Sequence, residues 1–527
     1  MNRTFASTGG IPGISVLASF GALPGLGLLG GILGRLRMVR AGDLTLGLLM
    51  ERLAEVHGDR TVAEEPGGPP LTYRAAAAEV ERLARGIAGF IEPGDRVVIA
   101  TANGYHLLLL CLAACRAGGV AVPVNPQMRE SEVDHVIADS GAILVIRNLA
   151  DIDPGPGSGP PTAGAAPLPV ITALPSDVGA IFYTSGTTGL PKGARLTHKS
   201  LIGMVPAATL VPSALRRDEA VVALPVAHIM GFAVLVALAG AGIPAYVLER
   251  FRPEVVLDAI ESRRSTVFVG VPAMYRMLLE AGAEKRDLKS VRLWAAGADS
   301  MPADLARRFS RMGASATLPL LGWNVGPALF AEGYGMVETG GGAAGKIGPA
   351  LVAMPSYRMR VVGEDGRDAT PGQIGELWIK GPGVLDGYHG APAATKAVLT
   401  EDGWLRTGDL ARQGLFGVVF FAGRQKDVIK HGGYSVYALE VERALEQHPD
   451  VLEAAVLGIP DDRMGEVPVA AVRVRAGRRV TGDGLVLWSR QHLSDYKAPR
   501  RIVIVDDLPM TGTNKVQKSE LRPLFVP

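Results

Sequence analysis

A chain of 527 residues is too long for one ordinary hydrophobic core, so a single-domain architecture is excluded and two or more domains are expected. Lys and Arg number 54 against 52 Asp and Glu; a formal charge of +2 leaves no large field of one sign for holding a polyanion, and no nucleic-acid partner is implied. The two cysteines, Cys111 and Cys115, lie four apart in an apolar helical run, which suits buried thiols in a reducing cytoplasm and not a zinc or disulfide framework.

From Thr4 to Gly34 the chain runs for 31 residues without a charge, and Arg35, Arg37 and Arg40 follow. As a helix this stretch is long enough to cross a bilayer. Its nine glycines, with Pro12 and Pro24, weaken a helix in water, whereas the Gly27/Gly31 and Gly30/Gly34 spacings suit close helix packing in lipid. Residues 1–42 are therefore set apart as a hydrophobic, Gly-rich extension with two readings: contact with the membrane surface, which would make the protein peripheral to the inner face, or a poorly packed tail. A cleaved signal peptide is disfavoured, because Arg3 alone is a thin basic region and no A-x-A site follows.

The globular chain is expected from near Leu44, where Leu46, Leu49, Leu53 and Val56 recur at helical spacing. Leu83 to Ile91 reads as a helix, Arg96 to Ala100 as a buried strand, His106 to Arg116 as a helix and Val120 to Val124 as a strand. That alternation implies parallel sheets covered by helices. The Pro-, Gly- and Ala-rich stretch from Asp151 to Pro169 reads as a solvated connector.

After the apolar run Val178 to Phe182 comes Tyr183-Thr-Ser-Gly-Thr-Thr-Gly-Leu-Pro-Lys-Gly193, a strand entering a loop dense in glycines and hydroxyls. Gly186, Gly189 and Gly193 allow close backbone approach, Thr184, Ser185, Thr187 and Thr188 add hydroxyls, and Lys192 adds a cation, so a nucleoside triphosphate is the expected ligand. A Walker A loop is excluded, because Pro191 stands where glycine should precede the lysine and Gly193 stands where Ser or Thr should follow.

Further motifs follow in order: Leu224-Pro-Val-Ala-His228, Ala296-Gly-Ala298, Gly333-Tyr-Gly-Met-Val-Glu-Thr339, Gly403-Trp-Leu-Arg-Thr-Gly-Asp409, Gly423-Arg-Gln-Lys-Asp-Val-Ile-Lys430 and Thr511-Gly-Thr-Asn-Lys515. In these motifs and their order the sequence, from about Leu44 to Leu521, resembles the acyl-adenylate-forming superfamily, which includes AMP-dependent acyl-CoA synthetases, fatty acid–CoA ligases, luciferases and peptide-synthetase adenylation domains. The resemblance implies an α/β fold: a large AMP-binding domain over 43–423, of helix-covered, mostly parallel sheets with a β-barrel-like subdomain, and a small mobile α/β domain over 424–527.

It also implies roles. ATP would lie on Thr184, Ser185, Gly186, Thr187, Thr188, Gly189 and Lys192, with adenine against Gly297, Ala298, Gly333, Tyr334 and Gly335, and ribose on Asp409 and Arg424. Glu338 would hold Mg²⁺ against the phosphates, a hard carboxylate suiting a hard cation. Lys515 would reach the α-phosphate and the acid during adenylation, and His228 would stand near the acyl entrance. Lys426 would be the hinge; rotation about it would bring Lys430, Gly432 and Gly433 to the site for CoA, whose thiol takes the acyl group as AMP leaves. Two departures stand out: Val337 replaces the family's usual threonine before the magnesium glutamate, and Thr513-Asn514 replaces the usual Ser-Gly before Lys515.

Apolar residues between His228 and Glu338, among them Gly231, Phe232, Val269, Gly270, Val271, Pro272, Met274 and Tyr275, read as the lining of a tunnel, so a medium- or long-chain fatty acid is the expected substrate. Two other readings stay open: an acyl-AMP ligase that loads a carrier protein, and a degenerate membrane protein that binds or takes up lipid. No insertion between Glu376 and Arg424 sets the chain apart from the CoA form, and nothing in the sequence fixes an oligomeric state.

Overall fold

Leu46, Leu49, Met50 and Leu53 form the buried side of a helix, Leu46–His57, as their spacing requires. The computed structural model describes residues 43–125, 128–152, 173–184, 191–203, 205, 218–317, 324–475, 477–510 and 516–526. The uncharged stretch 4–34 lies outside them, as does nearly all of the connector. Among the described residues no helix is long and apolar enough to cross a membrane.

The helix expected from Leu83 to Ile91 begins at Tyr73 and ends at Ala88, with the Thr72 hydroxyl accepting from the Ala75 amide at its start. Four alanines, Ala75 to Ala78, occupy its first turns. Alanine favours helix but carries little hydrophobic contrast, so periodicity alone misses the start. The next three elements fall close to expectation, as strand Arg96–Ile99, helix Tyr105–Arg116 and strand Val120–Pro123. Cys111 and Cys115 are buried in that second helix and not disulfide-bonded; burial pushes both thiols up, Cys115 to about 12.

Strands Leu144–Ile146, Arg96–Ile99, Val120–Pro123 and Val178–Thr184 pair in parallel; Lys192–Thr197 and then Gly387–Tyr388 extend this six-stranded sheet antiparallel. A thirteen-stranded sheet contains a second parallel set, in which Ala220–Val222, Val267–Gly270, Leu293–Ala296 and Leu329–Tyr334 lie side by side. Its antiparallel half, from Ala344–Ile347 to Val419–Arg424, continues directly from Leu329–Tyr334, so the strands expected in a barrel-like subdomain share one sheet with the parallel set. A five-stranded sheet from Val428 to Val505 forms the smaller lobe.

The lobes meet through charge. Arg276, on helix Pro272–Glu280 of the larger lobe, pairs with Glu453 of the smaller at 2.6 Å, with side chains only 12% and 4% exposed. Arg473 of the smaller lobe reaches Glu280 at 2.9 Å.

In the larger lobe His198 is buried and its Nδ1 accepts from the Leu46 amide. Burial pushes its imidazole down to about 4, against a smaller upward pull from Asp177. The unfolded chain takes up this proton near pH 6.5 and the folded one only near pH 4, so this group costs stability as pH falls through that window. The lobe should lose about 2 kcal/mol between pH 7.5 and pH 5 on account of this group. Urea unfolding of His198→Gln, which cannot titrate, should show that much less loss over the same range.

Candidate active site

Val178–Thr184 and Lys192–Thr197 are the two arms of a hairpin in which Thr184 pairs with Lys192 and Tyr183 with Gly193. Ser185, Gly186, Thr187, Thr188 and Gly189, read as a phosphate loop, fall outside the described residues, and Thr184 and Lys192 flank them in the chain. The Thr184 hydroxyl donates to the Lys192 carbonyl at 3.5 Å. Gly193 belongs to the strand, where its carbonyl accepts from the His389 amide at 2.7 Å. Strand Gly387–Tyr388 is thereby seated beside Lys192, whose ammonium lies 5.9 Å from the centre of the Tyr388 ring.

Glu338 sits in a short turn, Val337–Thr339, beyond strand Leu329–Tyr334 and is buried. Its Oε1 accepts from the Tyr388 phenol at 2.7 Å. Burial, reinforced by this carboxylate, holds the phenol far above its ordinary range, so it donates at neutral pH. The Thr339 hydroxyl bonds the Met336 amide and carbonyl, each at 3.0 Å. It is committed to the turn and does not stand in for the hydroxyl missing at Val337.

The same strand ends carry a second group. The Tyr334 phenol donates to Asp409 Oδ2 at 2.6 Å, and Arg424 approaches the other carboxylate oxygen at 3.7 Å from the adjoining strand. One oxygen of the carboxylate read as gripping both ribose hydroxyls is therefore already engaged by Tyr334. Gly297 and Ala298 follow strand Leu293–Ala296, which runs parallel to Leu329–Tyr334, so the backbone read as lining the purine and Tyr334 emerge at the same sheet edge, where ligands of parallel sheets bind. Ala298 adopts φ +68°, a left-handed conformation that costs a residue with a β-carbon about 1–2 kcal/mol. Gly333 lies next to Gly297, and Gly335 permits a close crossing, since a β-carbon there would collide with the Gly341 carbonyl.

His228 caps helix Ile229–Ala241, its Nδ1 accepting from the Met230 amide at 3.3 Å. The Met230 methyl would lie 3.3 Å from a β-carbon at Gly297. Of the residues read as a tunnel, Phe232 packs edge-on against Phe182, and Tyr275 is fully buried among Phe268, Trp294 and Phe309 with its hydroxyl on the Ala295 carbonyl. The apolarity of these two residues reports the core.

Lys426 lies in the turn Gln425–Asp427 that leads to the smaller lobe. Lys430 donates to the Ser435 hydroxyl at 2.9 Å, and Gly432 (φ +56°) with Gly433 (φ +84°) turns the chain into the next strand. All three are exposed, and Lys430 bonds within its own lobe, to Glu466 through its amide and to Ser435 through its ammonium. Lys515 is outside the described residues; the residues flanking its segment, Met510 and Val516, bridge to each other, and Met510 packs against the core of the larger lobe. Sequence reading missed Tyr388. Its signal is faint, a Gly-Tyr pair whose partner lies 50 residues away.

Residues 50–389 match the family described as AMP-binding enzyme, and residues 440–515 match the AMP-binding enzyme C-terminal domain. The chain is 37% identical over 483 residues to a feruloyl-CoA synthase from an Amycolatopsis species, covering 87% of this chain and 95% of that one. It is 31% identical to an indoleacetate–CoA ligase from Aromatoleum aromaticum, covering 88% and 97%. The crystal structure of ATP-bound MatB from Rhodopseudomonas palustris superposes with a TM-score of 0.78 at 30% identity, covering 92% of this chain and 99% of that one. With these matches and the assembled site, the chain belongs to the acyl-adenylate-forming AMP-binding enzymes and is an AMP-forming acid–thiol ligase.

Proposed function

We propose that this enzyme activates an apolar acid bearing an aromatic ring, passing it through an acyl-adenylate to the thiol of CoA. The observation that carries the nucleotide half is Asp409 held between Tyr334 and Arg424, beside the group made by Glu338, Tyr388 and Lys192. The preference for an aromatic acid over the fatty acid expected from sequence rests on the relatives named for ferulate and indoleacetate. Met230 beside Gly297 suits it too, because a thioether packs well on an aromatic edge.

In this reading the acid's carboxylate oxygen attacks the α-phosphorus, pyrophosphate leaves, and Lys192 and Lys515 neutralise the charge that gathers there. Asp409 and Arg424 hold ribose, and Tyr334, Gly297 and Ala298 the base. Glu338 would hold Mg²⁺: among the described residues no group of three or more His, Cys, Asp or Glu could bind a metal, which fits an ion that draws its other ligands from phosphate and water. When bound, the ion offsets phosphate charge. Lys430, Gly432 and Gly433 would meet CoA after rotation about Lys426. The division into 43–423 and 424–527 belongs to the same proposal; the last strand of the larger sheet ends at Arg424 and the next sheet begins at Val428.

Pyrophosphate release and thioester formation, measured with ferulate, indoleacetate, decanoate and palmitate with and without CoA, test this. The aromatic acids should exceed both fatty acids by about tenfold or more in kcat/KM. A fatty acid in first place would overturn the aromatic reading. Pyrophosphate release without thioester would point to a carrier-protein acceptor, and no release with any acid to the lipid-binding reading.

A further inference from the structure

Val337 removes the hydroxyl that the family usually places before its metal-binding glutamate, and Thr339 cannot replace it, because its hydroxyl is bonded within its own turn. The hydroxyl that does touch Glu338 comes from another sheet. Tyr388 donates to Glu338 Oε1 at 2.7 Å, and its ring lies under the Lys192 ammonium at 5.9 Å. Its backbone is itself fixed: the Tyr388 amide donates to the Thr395 hydroxyl at 2.9 Å, and its strand pairs with residues 194 and 195. A single half-buried side chain therefore joins the carboxylate in the turn beyond one sheet to the cation on the other.

We propose that Tyr388 is a positioning residue, setting the Glu338 carboxylate and the Lys192 ammonium at the separation that a metal-bound triphosphate requires. The assignment rests on the adenylate-forming reading above. The hydroxyl and the ring do separate work. The hydroxyl binds one carboxylate oxygen and so limits rotation of the group that would face the ion, as outer partners of metal ligands do. The ring gives the lysine stem and ammonium an electron-rich surface to lie on. An AMP complex, which has neither β- nor γ-phosphate, depends on neither function.

Calorimetric titration of the full-length protein with ATP, with and without Mg²⁺, and with AMP alone, tests this in the absence of any acid. In Tyr388→Phe the gain in ATP affinity that Mg²⁺ brings should fall about tenfold, with AMP affinity kept within twofold. Tyr388→Leu should also weaken ATP binding without Mg²⁺. In a Glu338→Gln background, Tyr388→Phe should have no further effect on the Mg²⁺ dependence. Unchanged AMP affinity and thermal midpoint establish that the variants are folded. A wild-type Mg²⁺ dependence in Tyr388→Phe, or equal losses of ATP and AMP affinity, would overturn the assignment while leaving the enzyme reading intact. Failure of the unmodified protein to bind ATP would overturn both.

Discussion

Glu338→Gln should lower acid-dependent pyrophosphate release by about a hundredfold or more at saturating ATP and acid. The substitution keeps the volume of the side chain and an oxygen that can accept from the Tyr388 phenol, so the turn at 337–339 retains its packing. What it removes is one negative charge at a buried point beside the base of the phosphate hairpin. If that charge holds a cation against the triphosphate, its loss leaves the phosphate charge unbalanced as the acid attacks, and kcat takes the loss. AMP affinity should stay near that of the unmodified protein, since AMP makes no demand on this position. A fall of less than threefold in pyrophosphate release would remove Glu338 from the metal role.

Arg276→Met should destabilise the docking of the two lobes by about 3 kcal/mol at pH 7. Removing one member of a buried pair costs about 3–5 kcal/mol when the other charge stays behind. Glu453 has an escape, because it can take up a proton, and neutralising an ordinary glutamate at pH 7 costs about 3 kcal/mol, which caps the loss. Its carboxyl is already raised by burial, with Arg276 and Arg473 pulling it back down. Without Arg276 its folded pKa rises further above the unfolded value, so the variant binds the proton more readily when folded, and stability falls as pH rises from about 4.5 towards that folded value. The defect should therefore be larger at pH 7 than at pH 5, where protonation costs only about 1 kcal/mol. Arg276→Met with Glu453→Leu should recover most of the loss. Hydrogen exchange across strand Val451–Asp461, with thermal midpoints at both pH values, reads the effect; equal defects at pH 5 and pH 7 would show that the pair is not a buried charge couple.

The parts that local chemistry dictates were legible in the chain. The glycine- and hydroxyl-rich run after Val178, the apolar strands alternating with amphipathic helices and the order of the later motifs all depend on neighbours a few residues apart. What escaped depends on distant pairing. Tyr388 acquires meaning only when strand Gly387–Tyr388 joins the phosphate hairpin, and Arg276 only when another lobe brings Glu453 to it. Two of the apolar residues after His228 show a related limit: Phe232 and Tyr275 would look alike in a tunnel wall and in a core, and only their partners Phe182, Trp294 and Phe309 place these two in the core. Nor does the sequence show that the Thr339 hydroxyl, two positions after Val337, closes its own turn.

Tyr334, Asp409 and Arg424 all stand on strands of one continuous sheet, and that sheet is complete before Gln425. In the proposed reading, the grip on the nucleoside thus owes nothing to the polypeptide beyond that point. On that reading the division is modular in the engineer's sense: a graft at 425–427 that keeps the partners of Arg276 and Glu280 would exchange one module for another while Tyr334, Asp409 and Arg424 stayed together.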